Sequence, residues 1–452
     1  MRACIPNLLL VLMGLSASAV AHSQPILLQD VRVIDGSGAP PLEHADVLIR
    51  GSRIAAVRAH GAVPAPPSVR TINLAGKTVL PGLISAHSHL GITNGTGASG
   101  NNITRANILR QLKQYAAYGV TTVTSLGLNL KPFYALQPQV HRGAFPVADM
   151  FGADRGFGAP GGAPPAAAGI LDSQVYRPST PEEARLEVRE TAQRHPDLIK
   201  IWVDDLHGTA PGKMNPEIYK VVIDEAHANG LRVAAHVWYL EDARQLVGDG
   251  VDIIAHGVRD QPVDADFIQA MKSRGAGYIP TLSLDEAFYI FAEHPEWLQQ
   301  PFFRHALQPS LAAQFASGEW RSKVLADSKM LKTEKEALAI NMKNVKTLYD
   351  AGVRVAFGTD SGASPLRIAG FAEHRELKLL TDAGLTPLQA IQTATRNTAA
   401  LLHLQDRGSM APGKLADLLV VDGDPSRNIT DIDHVTAVWR RGKQIAGALP
   451  GA

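Results

Sequence analysis

The stretch Leu80–Gly91, "LPGLISAHSHLG", places two histidines, His87 and His89, one residue apart at the end of an apolar run. In an extended strand, residues i and i+2 point to the same side, so both imidazoles share a face. A lone His on a strand is more often a hydrogen-bonded core residue than a metal ligand. The pair therefore acquires meaning only together with residues farther along the chain. Seven further runs repeat the character of this one: "VTTVTSLG", "PVADMFGAD", "LIKIWVD", "RVAAHVW", "VDIIAHGV", "GYIPTLSL" and "RVAFGTDSG". Several are apolar through most of their length, as strands buried on both faces should be. Helical segments separate most of them, for example 183–195, 216–229 and 334–351. Eight strands alternating with helices predict an α/β chain built as a (β/α)₈ TIM barrel. An open doubly wound sheet is the alternative pattern.

The barrel is expected to span residues 80–403. Both ends of the chain read differently from it. "VRVIDGSG" and "ADVLIRGSRIAAV" near the start, and "GSMAPGKLADLLVVDGDP" and "VTAVWRRGKQI" near the end, are short strands broken at Gly. One small β-sandwich domain built from 22–79 and 404–452 accounts for both. Thr386-Pro387-Leu388-Gln389 predicts a capped helix start, the helix running to about Leu402. About 70 residues lie between the seventh and eighth runs, more than one helix and two loops require. This insertion carries Trp297, Phe302, Phe303 and Trp320. It is expected either to form a lid over the catalytic face or to add a packing helix pair.

Residues 1–21 read as a secretory signal peptide: Arg2, an apolar stretch Leu8–Val20, and a small-residue cleavage pattern ending at Ala21. A membrane anchor is the alternative, although the run is short for a span of about 20 residues. The expected location is outside the cytoplasm, in the periplasm, with no membrane span after cleavage. The single cysteine, Cys4, lies inside this segment, so the mature chain would have no disulfide. Any metal must then be held by nitrogen and oxygen. With 44 basic and 43 acidic residues, nothing attracts nucleic acid or an anionic membrane as a whole. A small-molecule substrate is the expected partner, and a homo-oligomer is compatible with the sequence.

The position of the His pair recurs. Lys200, His236, His256 and Asp360 are each polar side chains in or just after a later apolar run. Buried singly, each would be costly. Convergence on one metal site at one face of a barrel is their simplest joint explanation.

These motifs resemble those of the amidohydrolase superfamily of metal-dependent hydrolases, in particular the branch of imidazolonepropionase and the Xaa-Pro and Xaa-Arg dipeptidases. "GKTVLPGLISAHSH" resembles its first-strand motif, "FGTDSG" its last-strand motif, and "GSMAPGKLADLLVVDGDP" its closing β segment. The resemblance implies that His87, His89 and Asp360 bind one divalent ion and that His236 and His256 bind a second. It implies that Lys200 bridges the two as an N-carboxylated lysine; an uncarboxylated Lys200 in a one-metal site is the alternative. Zinc is the first expectation, with manganese, cobalt and iron compatible. Two such ions would share a water and lower its pKa, and the resulting hydroxide would attack a carbonyl. Asp360 would be the catalytic acid–base, moving the water's proton to the leaving amine.

Two stretches depart from the dipeptidase pattern. Relatives often carry a "TGGHG" type loop after the third strand; here "FGAPGGAPPAAAG" has no His. After the bridging lysine they usually continue with small residues; here the chain reads "KIWVDDLHG". Both departures put dipeptidase specificity in doubt. Trp202, Asp204, Tyr239 and Arg259 are the candidate substrate-binding residues, with rim packing, helix capping or pairing of Arg259 with Asp260 or a nearby acid as alternative roles. His207 and His374 lack a supporting constellation. The expected function is hydrolysis of a C–N amide bond in an N-acyl amino acid, dipeptide or cyclic amide. The rivals are the same fold acting on esters, lactones or phosphotriesters, and a metal-stabilised binding protein without turnover.

Overall fold

The computed structural model describes residues 24–62, 64 and 66–449. The expected signal peptide and Cys4 lie outside the described residues. The eight apolar runs form β1 (Leu83–Ser88), β2 (Val120–Ser125), β3 (Asp149–Gly152), β4 (Ile199–Trp202), β5 (Val233–His236), β6 (Ile253–Ala255), β7 (Gly277–Ile279) and β8 (Arg354–Val355). All their pairings are parallel, β1–β2–β3 in one sheet and β4 through β8 in another. Parallel bridges join the sheets, Phe157 to Ile201 of β4 among them. Ala153 pairs with Leu198 between β3 and β4, and Ser88 pairs with Ser361 between β1 and the segment after β8. The Ala86 N–H also donates to the Phe357 carbonyl at 2.8 Å. The strands thus succeed one another round a ring, where an open doubly wound sheet would leave β1 and β8 as edges. Every residue of β2 is buried, which is why alternation is missing from "VTTVTS".

Helices cover the ring from outside. Pro181–Ala192 starts at a Thr180/Glu183 capping box, and Pro387–Gln392 at the expected Thr386/Gln389 box. The latter continues through a π turn, Thr393–Asn397, into Thr398–Leu401. No helix among the described residues is long and apolar enough to cross a membrane.

Both chain ends meet in one eight-stranded sheet. Its order is Lys443–Gly447, Val435–Arg440, Leu418–Asp422, Lys77–Pro81, Ile26–Val33, Leu42–Arg50 and Arg53–Ala59, with Arg70–Asn73 pairing Ile26–Val33. Leu28, Val31, Val47, Val79, Leu418, Val420 and Trp439 form its core. The expected junction at 79/80 lies inside the strand Lys77–Pro81; only Gly82 separates that strand from β1. A Cβ at Gly82 would stand 2.2 Å from the Thr121 side chain, so the close approach requires glycine there.

The sheet is tied to the ring by buried charges. Asp149, at the start of β3, accepts from Arg407 (3.0 Å), pairs with Arg440 (2.8 Å) and bonds His141 (2.7 Å). Burial alone would raise the Asp149 pKa; the His141 hydrogen bond and the two guanidinium groups outweigh it and hold the carboxyl below the usual range.

The segment from β7 to β8 folds as helices Leu282–Glu286, Ile290–Glu293, Pro301–Ala306, Pro309–Ala316, Gly318–Ala326 and Ser328–Asp350 with a 3₁₀ turn at Pro295–Gln299. Phe291, Phe303, Phe315 and Phe371 form its core, with Trp297, Phe302 and Trp320 packed against them. Glu376 anchors its first turn, accepting the N–H groups of Leu282 (2.8 Å) and Ser283 (2.7 Å). Burial pushes the Glu376 carboxyl up to about 8.

These charges have two measurable consequences. Asp149→Ala removes the carboxylate shared by the buried Arg407 and Arg440, leaving Arg440 only backbone carbonyls and Arg407 its Asp406 pair, and is expected to cost about 3–5 kcal/mol in urea unfolding. A loss below about 1 kcal/mol would class the cluster with exposed ion pairs. For Glu376 the folded pKa lies above the unfolded value. Its stabilising share is therefore complete below about pH 4.5 and lost as pH rises through about 8. Unfolding midpoints at pH 5, 6.5 and 8 should fall less steeply for Glu376→Gln than for the native chain; parallel slopes would remove Glu376 as the cause.

Candidate metal centre and its cavity

The candidate site residues stand within or just beyond the ring strands. His87 is in β1 and His89 just past it; Lys200 is in β4; His236 ends β5; His256 comes directly after β6; Asp360 comes after β8. The backbone is unusual at this rim. His256 (φ 77°), Thr281 (φ 49°) and Asp360 (φ 57°) all occupy the left-handed region without being glycine, a strain found where function dictates geometry.

His87, His256 and Asp360 each offer a ligand atom within 4.8 Å of the others' and form a group that could hold a metal ion. His89 joins through Asp360, whose Oδ1 lies 3.0 Å from His89 Nε2 and 3.2 Å from His87 Nε2. His236 joins through His256, with ring centroids 4.4 Å apart, and the same distance separates the His87 and His256 rings. Lys200 is fully buried.

These groups have more polar atoms than partners. Both nitrogens of His87 and of His236, Nδ1 of His89, and Nζ of Lys200 are buried without a hydrogen bond. The His87 Nε2–Asp360 Oδ1 separation is short, yet it lacks hydrogen-bond geometry. Leaving this many buried polar atoms unpaired would cost about 1–3 kcal/mol apiece. The donor set of imidazole nitrogens and a carboxylate fits divalent cations.

Electrostatics favour the same protonation states. Burial, then the Lys200 ammonium, lowers the His87 pKa to about 3. Burial also lowers His236 and His256, and takes Lys200 down to about 7. For Asp360, burial pulls upward but the Arg367 guanidinium and the two histidines prevail, holding the carboxyl well below its usual range. His87, His236 and His256 are thus held as neutral imidazoles beside a readily neutralised amine and an ionised carboxylate.

A cavity of about 730 Å³ opens onto His89, His236, His256 and Asp360. Its wall includes Pro164, Pro165 and Ile170 from the glycine-rich stretch, and Leu206 and His207 from the loop after β4. The insertion adds Leu284, Phe288, Met330 and Glu334. The insertion therefore forms part of the cavity wall, while its tryptophans and Phe302 and Phe303 pack on one another instead of lining it.

The substrate-binding expectations fare unevenly. Trp202 lines the cavity. Arg259 lines it too, but its Nη1 donates to Asp285 at 2.8 Å; Asp260 instead accepts the Leu240 N–H. Tyr239 is not among the lining residues: its hydroxyl donates to Asp205 (3.0 Å) and Lys213 sits 4.0 Å from its ring centroid, so a nearby acid satisfies it. Asp204 also does not line the cavity, and it neither faces solvent nor caps a helix; it is 1% exposed beside His236. His374 is bound to Asp433 and the Tyr118 carbonyl as a structural tie. His207, which the sequence leaves unsupported, stacks on Trp238 at 4.1 Å within the cavity wall. Arg367 is a residue that sequence reasoning misses. It lies seven positions after Asp360 in "DSGASPLR", contacts the Asp360 carboxylate and lines the cavity. Glu334 is likewise missed, being one polar residue in a long helix.

The comparisons with known proteins agree with this geometry. A family model described as "Amidohydrolase family" matches residues 78–445. An uncharacterized protein of Mycobacterium tuberculosis is 28% identical over 262 residues, 57% of this chain and 60% of that protein. An imidazolonepropionase of Deinococcus deserti is 33% identical over 140 residues, 29% of this chain and 34% of that protein. The chain thus spans about 60% or less of these curated relatives. A solved Xaa-Pro dipeptidase with methionine in its active site superposes with a TM-score of 0.72 at 24% identity, covering 93% of this chain and 99% of that one. At such identity the likeness is one of fold, and it implies a TIM barrel of mixed α/β content. The family match covers most of the ring, the insertion and the closing strands: the chain belongs to the amidohydrolase family.

Proposed function

We propose that the chain is an exported two-metal amidohydrolase that cleaves C–N amide bonds of small molecules such as N-acyl amino acids, dipeptides or cyclic amides. The observation that carries this reading is the set of buried, unpartnered nitrogens around Asp360 at the floor of a substrate-sized cavity. His87, His89 and Asp360 would hold one ion, His236 and His256 the other, with Lys200 between them as an N-carboxylate. Zinc suits this nitrogen and oxygen set. Bound there, the ions would lower the pKa of a water and polarise the scissile carbonyl.

The chain's own groups supply the rest. Asp360, kept ionised beside Arg367, takes a proton from the attacking water and delivers it to the departing nitrogen. That delivery is what an amide needs, since an amine leaves poorly as an anion. Lys200, brought to about 7 by burial, is substantially neutral near pH 7. The neutral amine is the form that adds CO₂, losing one proton to become an anionic oxygen donor. Trp202, Trp238 and Phe288 give the cavity an aromatic wall suited to the apolar portion of a substrate.

As isolated, the protein should carry about two divalent ions per chain. Dialysis against a chelator should abolish hydrolysis, and zinc should restore it. Asp360→Asn should keep the circular dichroism of the native chain yet lower kcat by about 10²–10⁴. A metal-loaded protein inactive on amides but active on esters or lactones would move the assignment to those substrates. Inactivity on all three would leave only a binding role.

A further inference from the structure

We propose that Asp204 is a positioning residue of the metal centre: it accepts the Nε2–H of His236 and thereby presents the Nδ1 of that ring to an ion. The inference rests on the proposed metal-binding function and adds a residue to it. Asp204 stands two positions beyond β4, within the "KIWVDDLHG" departure. It is 1% exposed. Its Oδ1 accepts the Leu206 N–H at 2.8 Å, which fixes the carboxylate, and lies 3.4 Å from His236 Nε2. That separation is long for a hydrogen bond, and His236 Nε2 has no other hydrogen-bond partner among the described residues.

The choice of nitrogen is set by charge. A neutral imidazole carries one N–H and one lone pair. With the proton on Nδ1, the Nε2 lone pair would face an anionic oxygen. With the proton on Nε2, that clash becomes a charge-assisted hydrogen bond, and the lone pair passes to Nδ1. His236 Nδ1 is buried with no partner, as a nitrogen awaiting a ligand would be. The neighbouring ring is held in the opposite sense. His256 Nδ1 lies 2.9 Å from Thr281 Oγ1, leaving its Nε2 to the centre. Each of the two imidazoles assigned to the second ion thus has one outer partner, Thr281 for His256 and Asp204 for His236. Such outer partners commonly set ligand tautomer and orientation.

A direct ligand role and a purely structural role for Asp204 make different forecasts, so two substitutions and one spectrum decide. Zinc affinity would be measured by chelator competition on the full chain. Asp204→Leu removes the acceptor and should weaken one of the two ions about 10–100-fold while leaving the other unchanged. Asp204→Asn keeps an acceptor oxygen and should recover most of that loss. Native affinity in the Leu variant would overturn the proposal, as would an Asn variant no better than Leu, which a direct ligand would give. Independently of how the variants fold, histidine-selective ¹⁵N spectra of the metal-free native chain, with His236 identified by its loss in His236→Gln, should show the Nε2–H tautomer. An Nδ1–H tautomer would overturn the proposal. A native chain that binds no zinc would sink the proposed function, and the tautomer spectrum would still judge Asp204 separately.

Discussion

The constraint on which this structure depends is the burial of polar nitrogens that the protein itself does not satisfy. Four imidazoles, a lysine and a carboxylate meet where the ring strands end, and several of their atoms have no partner among the described residues. A fold holds such a set together only if the rest of it is over-determined. Here the strands supply that rigidity. Gly358 shows how tight the fit is: a Cβ there would lie 2.7 Å from the Cβ of His87. Asp360 and His256 are carried in left-handed backbone, directing side chains that ordinary strand geometry would send elsewhere.

The opposite end of the ring solves the same electrostatic problem in another way. Asp149, Arg407, Arg440 and His141 are drawn together there, and they bond one another. Next to the site itself, the fully buried Glu373 receives Ser85, the Gly370 N–H, and Thr359 and Ser361 on either side of Asp360. Compensated charge joins the ring to the end sheet and supports the strands beneath Asp360. The imidazole and lysine nitrogens left without a hydrogen bond lie instead at the rim beside the cavity. That contrast, more than burial itself, distinguishes a place for chemistry from a place for stability.

Much of this pattern is legible in the sequence because ring strands are continuous apolar runs, and a polar residue at their ends stands out against them. All eight runs form strands, and His87, His89, Lys200, His236, His256 and Asp360 fall at one end of the ring. The return of the chain to a shared end sheet is legible for a similar reason, as short strands with Gly breaks flank the helical middle. Contacts made from loops and helices are not. Arg259 pairs with Asp285 across 26 residues rather than with its neighbour Asp260. Tyr239 bonds Asp205, and Arg367 reaches Asp360 from a loop without periodicity. No local spacing encodes those encounters; they depend on how the insertion and the rim loops settle on the ring.

The same distinction bears on what the cavity selects. Its two arginines are engaged within the chain, Arg259 by Asp285 and Arg367 by Asp360. A substrate carboxylate could bind either only in competition with a buried acid. Glu334, 7% exposed on the cavity wall, has no such ion-pair partner among the described residues, and burial pushes its carboxyl up to about 7. Near neutral pH it can therefore present either a donor or an acceptor to a ligand. The apolar surfaces of Trp202, Trp238 and Phe288 share that wall. In the proposed enzyme, recognition built this way would rest largely on shape and apolar contact, with Asp327 and Lys329 the other charged residues of the wall. It comes from the "KIWVDDLHG" stretch, where the chain departs from the dipeptidase pattern, from the segment after β5 that carries Trp238, and from the insertion. In the proposed enzyme the reacting centre and the selecting wall would therefore be separable parts, one set by strand ends and the other by the loops and insertion between them.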